Sequence, residues 1–245
     1  MIRAIGHRGA MLDRVENTLP AFHEAVRQGA TALELDVQRA CSGEVVVFHD
    51  AMFDRLGGTP RRAADMTLAE MRQVVLRDPG LPGQTGRVHT FEEVLSDAVL
   101  APLLSDRSRP FDLFVELKVD DLEADVAAAV RSHGLVDRVF LISFRRHRLE
   151  RVRALGRDLR TSLLFPDRRD ENLRVALDIG CTALNPEPYD ADAGFVDRAR
   201  NAGLLVTVGQ TSDPGVIRPL LDLDVWGIHS DRPALIVQAL AQKPT

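Results

Sequence analysis

Ala32-Leu33-Glu34-Leu35-Asp36-Val37 is a short apolar run that carries two carboxylates in alternate positions. In an extended strand successive side chains point to opposite faces, so Glu34 and Asp36 share one face while Leu33, Leu35 and Val37 share the other. The run Phe114-Val115-Glu116-Leu117-Lys118 repeats the device and sets Glu116 and Lys118 on one face near the end of its strand. Charges on the inner face of a sheet are costly to bury unless they are paired with each other or bind something. A structural ion-pair cluster, with Lys118 neutralising one carboxylate, is therefore the competing account of these strands.

Outward from these two runs, β-rich apolar segments alternate with longer segments of helical periodicity. Strands are expected near Ile2 to Ile5, Ala32 to Val37, Leu113 to Leu117, Val139 to Ser143, Thr161 to Phe165, Ala183 to Asn185, Leu204 to Val208 and Trp226 to Ile228. Helices are expected at Leu19 to Gln28, Leu122 to His133, Leu149 to Leu155, Leu173 to Ile179, Phe195 to Ala202, Pro214 to Leu221 and Ala234 to Ala241. Thr18 can cap the first of these, with Pro20 in its first turn, and Gly29, Gly134, Gly156, Gly180 and Gly203 each follow a helical segment. Eight such units in 245 residues predict an α/β fold, a TIM-type (β/α)8 barrel with a small insertion after the second barrel strand. No Pro/Gly/Ser-rich linker divides the chain, so residues 1–245 read as one barrel catalytic domain with an inserted segment at about 51–110. An extra short strand at Glu44 to Phe48 precedes the insertion, which holds helix-like stretches at Leu68 to Leu76 and from Phe91 onward.

Composition narrows the function. With 45% hydrophobic and 27% charged residues the chain is an ordinary globular one, and its formal charge of −5 speaks against a nucleic-acid partner. The basic cluster Arg145, Arg146, His147, Arg148, Arg151 and Arg153 is interrupted by Glu150 and carries the stripe Leu149, Val152, Leu155, which is the pattern of a solvated helix face. The N-terminus lacks the apolar stretch of a secretory signal, and no window has the unbroken apolar run of a membrane helix, so no stable membrane insertion and a cytoplasmic location are expected. Cys41 and Cys181 lie far apart and outside any zinc spacing, and read as free thiols.

Glu34, Asp36 and Glu116 at neighbouring strand ends make an oxygen-rich site suited to one hard divalent cation, Mg²⁺ or Ca²⁺. His7 directly follows the first strand in Gly6-His7-Arg8-Gly9, and His49 follows the extra strand in His49-Asp50. Phosphodiester cleavage needs one group to activate the attacking oxygen and another to protonate the departing one, tasks that suit two imidazoles. Set against a divalent cation, Arg8 and Lys118, the three carboxylates leave one net positive charge, which attracts a phosphodiester anion. His23, His89, His133, His147 and His229 read as structural or exposed, although His229 lies near the end of the last strand.

These residues belong to a longer pattern. Gly6-His7-Arg8-Gly9, Glu16-Asn17-Thr18, Ala21-Phe22, Ala25, Gly29-Ala30, Glu34-Leu35-Asp36-Val37 and His49-Asp50 resemble the N-terminal signature of the glycerophosphodiester phosphodiesterase family. Glu116-Leu117-Lys118, Ser143-Phe144 and Gly227-Ile228-His229-Ser230-Asp231-Arg232-Pro233 extend the resemblance through the chain. It implies a barrel enzyme that hydrolyses glycerophosphodiesters to glycerol 3-phosphate and an alcohol through a cyclic phosphate that water opens. It further implies His7 and His49 as the acid/base pair, Glu34, Asp36 and Glu116 as metal ligands, and Arg8 and Lys118 as holders of phosphate oxygens. The chain departs from the family's pattern at Val206-Thr207-Val208-Gly209, where a Trp-Thr-Val-Asn run is common and its aromatic and amide groups are expected to line the pocket. Further departures are Ala40-Cys41-Ser42-Gly43 in place of Thr-x-Asp-Gly, and Val15 in place of a proline. Two other functions fit the same residues, a lysophospholipid-cleaving phosphodiesterase and a non-catalytic barrel that binds a phosphate ligand.

Overall fold

A computed structural model describes residues 2–243. Its strands are β1 (Arg3–Gly6), β2 (Ala32–Arg39), β3 (Val45–Val47), β4 (His89–Thr90), β5 (Asp112–Leu117), β6 (Val139–Ser143), β7 (Arg160–Phe165), β8 (Ala183–Pro186), β9 (Leu205–Val208) and β10 (Gly227–Ser230). β2 pairs in parallel with β5, the series runs on in parallel from β5 to β10, and β10 and β2 both pair with β1. The eight parallel strands thus close into a barrel, as the alternating pattern predicts. β3 and β4 stand outside it, β3 antiparallel to β2 and β4 antiparallel to β3.

Strand alternation separates two cores. Leu33, Leu35 and Val37 of β2 and Leu113, Val115 and Leu117 of β5 face outward and pack with Phe22, Ala25, Val126 and Val130 of the surrounding helices. The inward residues Ile5, Ala32, Phe114, Phe140, Ile142, Leu164 and Ala183, with Trp226, fill the barrel's interior. The Phe114 and Phe140 rings stack with centroids 4.6 Å apart and Trp226 meets both edge-on. Below them Asp112 pairs with Arg3 at 3.3 Å and Arg160 at 3.4 Å, and those cations lie over the Trp226 and Phe140 rings. The barrel is therefore plugged at its N-terminal end by these rings and ion pairs, and the carboxylates of Glu34, Asp36 and Glu116 gather toward the other.

Helix boundaries follow their caps. Thr18 accepts a hydrogen bond from the Ala21 amide and starts the helix Leu19–Arg27. Two helices begin a turn earlier than their apolar periodicity indicates, at Arg146 and Arg169, because their first turns are polar and carry no burial signal. The first of these bears the basic cluster, and its Arg146, Arg148 and Arg151 pair with Glu150, Asp120 and Asp121 on the surface. Gly180 closes its helix in the left-handed conformation, as predicted, whereas Gly156 is extended (φ 161°) and leads straight on toward β7.

Residues 51–110 contain two structurally different parts. Phe53, Leu56, Met66, Met71, Leu76 and Val88 join Val15 and Phe48 in a satellite core beside the barrel. Helices Phe91–Leu95 and Leu100–Ser105 instead lie on the barrel's outer core through Phe91, Val94, Leu95, Leu100 and Leu104.

The turn after β1 is sterically demanding. Arg8 (φ 51°) and Gly9 (φ 87°) are both left-handed, and a Cβ on Gly9 would lie 2.6 Å from the Ala21 carbonyl carbon. Gly9→Ala combines this clash with backbone strain, and is expected to lower unfolding free energy by about 1–3 kcal/mol in urea titrations. Unchanged stability would show that the turn can relax away from the first helix.

Candidate active site

β2 and β5 are in register, with Asp36 beside Glu116, so the two inner faces deliver their carboxylates to one level at the barrel's C-terminal end. Glu34, Asp36 and Glu116 each offer an oxygen within 4.8 Å of the others, and all three are buried. The β1 turn wraps over them. The Arg8 amide donates to Glu34 Oε2 at 2.9 Å, and the Arg8 guanidinium lies between Glu16 (2.9 Å) and Asp36 (3.3 Å). Asn17 donates to Asp36 Oδ2 at 2.8 Å and accepts from the Asp36 amide at 3.1 Å. Lys118 Nζ stands 3.1 Å from Glu116 and 3.5 Å from Asp36.

Burial and mutual repulsion decide how this cluster shares its charge. Burial and the neighbouring Asp36 charge raise the Glu34 carboxyl above the usual range, and the same two causes raise Glu116. Burial acts against Asp36 as well, but Arg8 and Lys118 outweigh it and hold Asp36 low. Asp36 thus carries the negative charge, and its buried Oδ1 has no hydrogen-bond donor. Converging oxygen donors, one of them unspent, fit a hard divalent cation.

His7 Nδ1 lies 2.7 Å from Asp231 Oδ1, and Asp231 is held in turn by Gln210 and, through its amide, by Ser212. His49 Nδ1 lies 2.6 Å from Asp50 Oδ1. A carboxylate on Nδ1 fixes the proton there and leaves Nε2 for chemistry. The His7 Nε2 is 4.0 Å from Glu34, and His49 is close enough to Asp36 for their charges to interact. Gln38 of β2 donates to the carbonyls of Phe48 (3.0 Å) and Asp50 (2.7 Å) and so ties the His49 loop to the barrel.

All seven residues singled out from sequence meet here, and His7, Arg8, Glu34, His49, Glu116 and Lys118 line one cavity of about 280 Å³. Sequence reasoning missed the orienting carboxylates, although Asp50 and Asp231 stand inside quoted motifs. It also missed Arg55, which binds Asp50 at 2.6 Å and grips Glu16 through both terminal nitrogens at 2.8 and 2.7 Å. No local pattern marks an arginine whose partners are 5 and 39 residues away. His229, read as structural, borders the cavity, whereas His23, His133 and His147 pair with acids at 2.8, 2.7 and 2.9 Å away from it. Of the two departures in the β9 run, only Gly209 reaches the cavity. Val206 faces outward into the core with Phe195 and Ile217 and does not line the cavity. Cys41 and Cys181 are free thiols.

Fold and site together define a β/α-barrel hydrolase of the phosphoric diester class. A model of the glycerophosphoryl diester phosphodiesterase family matches residues 7–235, and the chain belongs to that family. It is 26% identical over 241 residues to the glycerophosphodiester phosphodiesterase of Caldanaerobacter subterraneus subsp. tengcongensis, covering 95% of each chain. The crystal structure of the Agrobacterium tumefaciens C58 glycerophosphodiester phosphodiesterase superposes with a TM-score of 0.82 at 28% identity, covering 97% of this chain and 100% of that one. A Silicibacter pomeroyi DSS-3 structure assigned to the same enzymes superposes with a TM-score of 0.88 at 27% identity, covering 98% and 93%.

Burial works to lower the His7 imidazole, but the Asp231 hydrogen bond and the Glu34 charge reverse this and raise it above its ordinary value. In metal-free protein Asp231→Asn removes the main opposing influence, so the His7 pKa should fall in NMR titrations of the histidine ring protons. An unmoved value would mean that Asp231 does not govern this ring.

Proposed function

We propose that this chain hydrolyses glycerophosphodiesters to glycerol 3-phosphate and an alcohol, with His7 and His49 as the acid/base pair. The observation that carries this reading is the pair of imidazoles, each backed on Nδ1 by a carboxylate and each beside the buried carboxylate cluster. Glu34, Asp36 and Glu116 would hold one divalent cation, Mg²⁺ or Ca²⁺, which would polarise the phosphoryl group and draw off negative charge. Arg8 and Lys118 add positive charge on the phosphate side, and their own carboxylate partners keep them from swinging away.

On this reading one imidazole takes the proton from the attacking hydroxyl at Nε2, and the other gives a proton to the departing alkoxide. The plugged barrel floor would keep substrate at the mouth, where His7 and His49 line the cavity. The chain would act as one catalytic domain, with residues 51–110 as an insertion linked to the site through Arg55. Phe144, 49% exposed at the rim beside Ile142 and Leu164, favours a second reading in which the alcohol portion is a lysophospholipid tail. No helix among the described residues is long and apolar enough to cross a membrane.

The deciding assay strips metal from the protein, adds back Mg²⁺, Ca²⁺ or Mn²⁺, and follows glycerol 3-phosphate released from glycerophosphocholine. Metal-dependent release is expected. His7→Ala and His49→Ala should each lose at least about 100-fold in kcat. Glu34→Ala should lose both activity and the metal-induced rise in Tm. Full turnover in either histidine variant would overturn the assignment, and glycerol phosphate binding without turnover under any metal would make the chain a binding protein. Faster cleavage of lysophosphatidylcholine than of glycerophosphocholine would favour the second reading.

A further inference from the structure

The cavity has three different walls. Its charged side holds the carboxylates, Arg8 and Lys118, and an apolar side is made by Ile142, Phe144 and Leu164. The third, at the ends of β8 to β10, presents Asn185, Gly209, Gln210 and His229.

Asn185 and His229 form a buried pair in this third wall, with Asn185 Nδ2 and His229 Nε2 2.9 Å apart. Burial, helped by the charge of His7, pushes the His229 imidazole down to about 3, so the ring is neutral. Its Nε2 accepts from the Asn185 amide, which puts the ring proton on Nδ1. The Phe114 ring, 5.3 Å away and edge-on, fixes the imidazole plane. Between the two strands Gly209 contributes no side chain. A Cβ there would stand 3.5 Å from Asn185 Oδ1 and only 3.1 Å from the Pro186 carbonyl oxygen, so a side chain at 209 would crowd the cavity wall beside the Asn185 carbonyl oxygen.

A neutral amide–imidazole pair set against Phe114, Ile142 and Leu164 is dearly desolvated, and apolar side chains would fill the same volume at lower cost. Its groups are uncharged, so unlike Arg8 and Lys118 they bring no Coulombic attraction for phosphate. Uncharged donors and acceptors in a dry wall suit hydroxyl groups, and a site built to bond hydroxyls strongly disfavours an analogue that lacks them.

We propose that Asn185 and His229 are specificity-determining residues that bind the hydroxyls of the substrate's glycerol portion on the cavity wall they share with Gly209, leaving the apolar wall to the alcohol group. The choice of glycerol rests on the hydrolase reading above, but the pair's preference for hydroxyls is testable without turnover.

Calorimetric titration in Mg²⁺ compares sn-glycerol 3-phosphate with ethyl phosphate, which carries the phosphate and no hydroxyls. Wild type should bind glycerol 3-phosphate about tenfold more tightly. Asn185→Leu and His229→Phe should bring the ratio close to one while ethyl phosphate affinity changes less than about twofold. His229→Gln, which keeps a donor and an acceptor, should retain most of the preference and covers the case in which the apolar variants do not fold. No preference in wild type, an unchanged ratio in folded variants, or equal loss for both ligands would overturn the proposal. A glycerol 3-phosphate preference that the variants abolish, in a protein that cleaves no glycerophosphodiester, would sustain the pair and remove the hydrolase reading instead.

Discussion

Three carboxylates gathered within 4.8 Å in a buried barrel mouth repel one another, and that repulsion organises everything around them. Like charges this close cannot all ionise without compensation. Arg8, Asn17 and Lys118 concentrate the charge on Asp36, while Glu34 and Glu116 are driven toward their protonated forms. A cluster of this kind persists because it is half-compensated, and the compensation that is still missing is of the kind a cation would supply. Asp36 Oδ1, which has the Lys118 ammonium at 3.5 Å but no hydrogen bond, is the visible remainder.

The supporting network extends this logic outward. Glu16, itself buried, is gripped by Arg8 from the first turn and Arg55 from the region beyond β3. Arg55 also holds Asp50, which orients His49. One guanidinium therefore ties together Glu16, the partner of Arg8, and Asp50, the partner of His49. On the opposite side Asp231, fixed by Gln210 and Ser212, does the same for His7. Each imidazole is held by carboxylates from its own side of the barrel, and the cavity lies between.

Much of this was legible in advance, for physical reasons. Period-two alternation in β2 and β5 follows from strand geometry alone, so the shared face of Glu34, Asp36, Glu116 and Lys118 could be read before any fold was known. The barrel strands were legible because buried parallel strands are runs of β-branched and apolar residues between helical periodicity. Polar first turns hid the starts of helices Arg146–Leu155 and Arg169–Ile179, since hydrophobic pattern marks only what is buried. The outward position of Val206 escaped motif matching, because matching letters does not establish which face of the strand a letter occupies.

By itself the sequence determined the eight barrel strands, the inward carboxylates, the histidines that follow β1 and β3, and a family signature spanning the chain, all of which are properties of local spacing. Tertiary structure alone decided which side chains separated by tens or hundreds of residues become partners. Asp231 reaches His7 across 224 residues, Arg55 reaches Glu16 across 39, and Asn185 reaches His229 across 44. Barrel closure brings β10 beside β1, and hydrogen-bond register between β2 and β5 levels Asp36 with Glu116. Spacing along a chain sets the face a residue occupies, whereas the residue it meets depends on how the sheet closes.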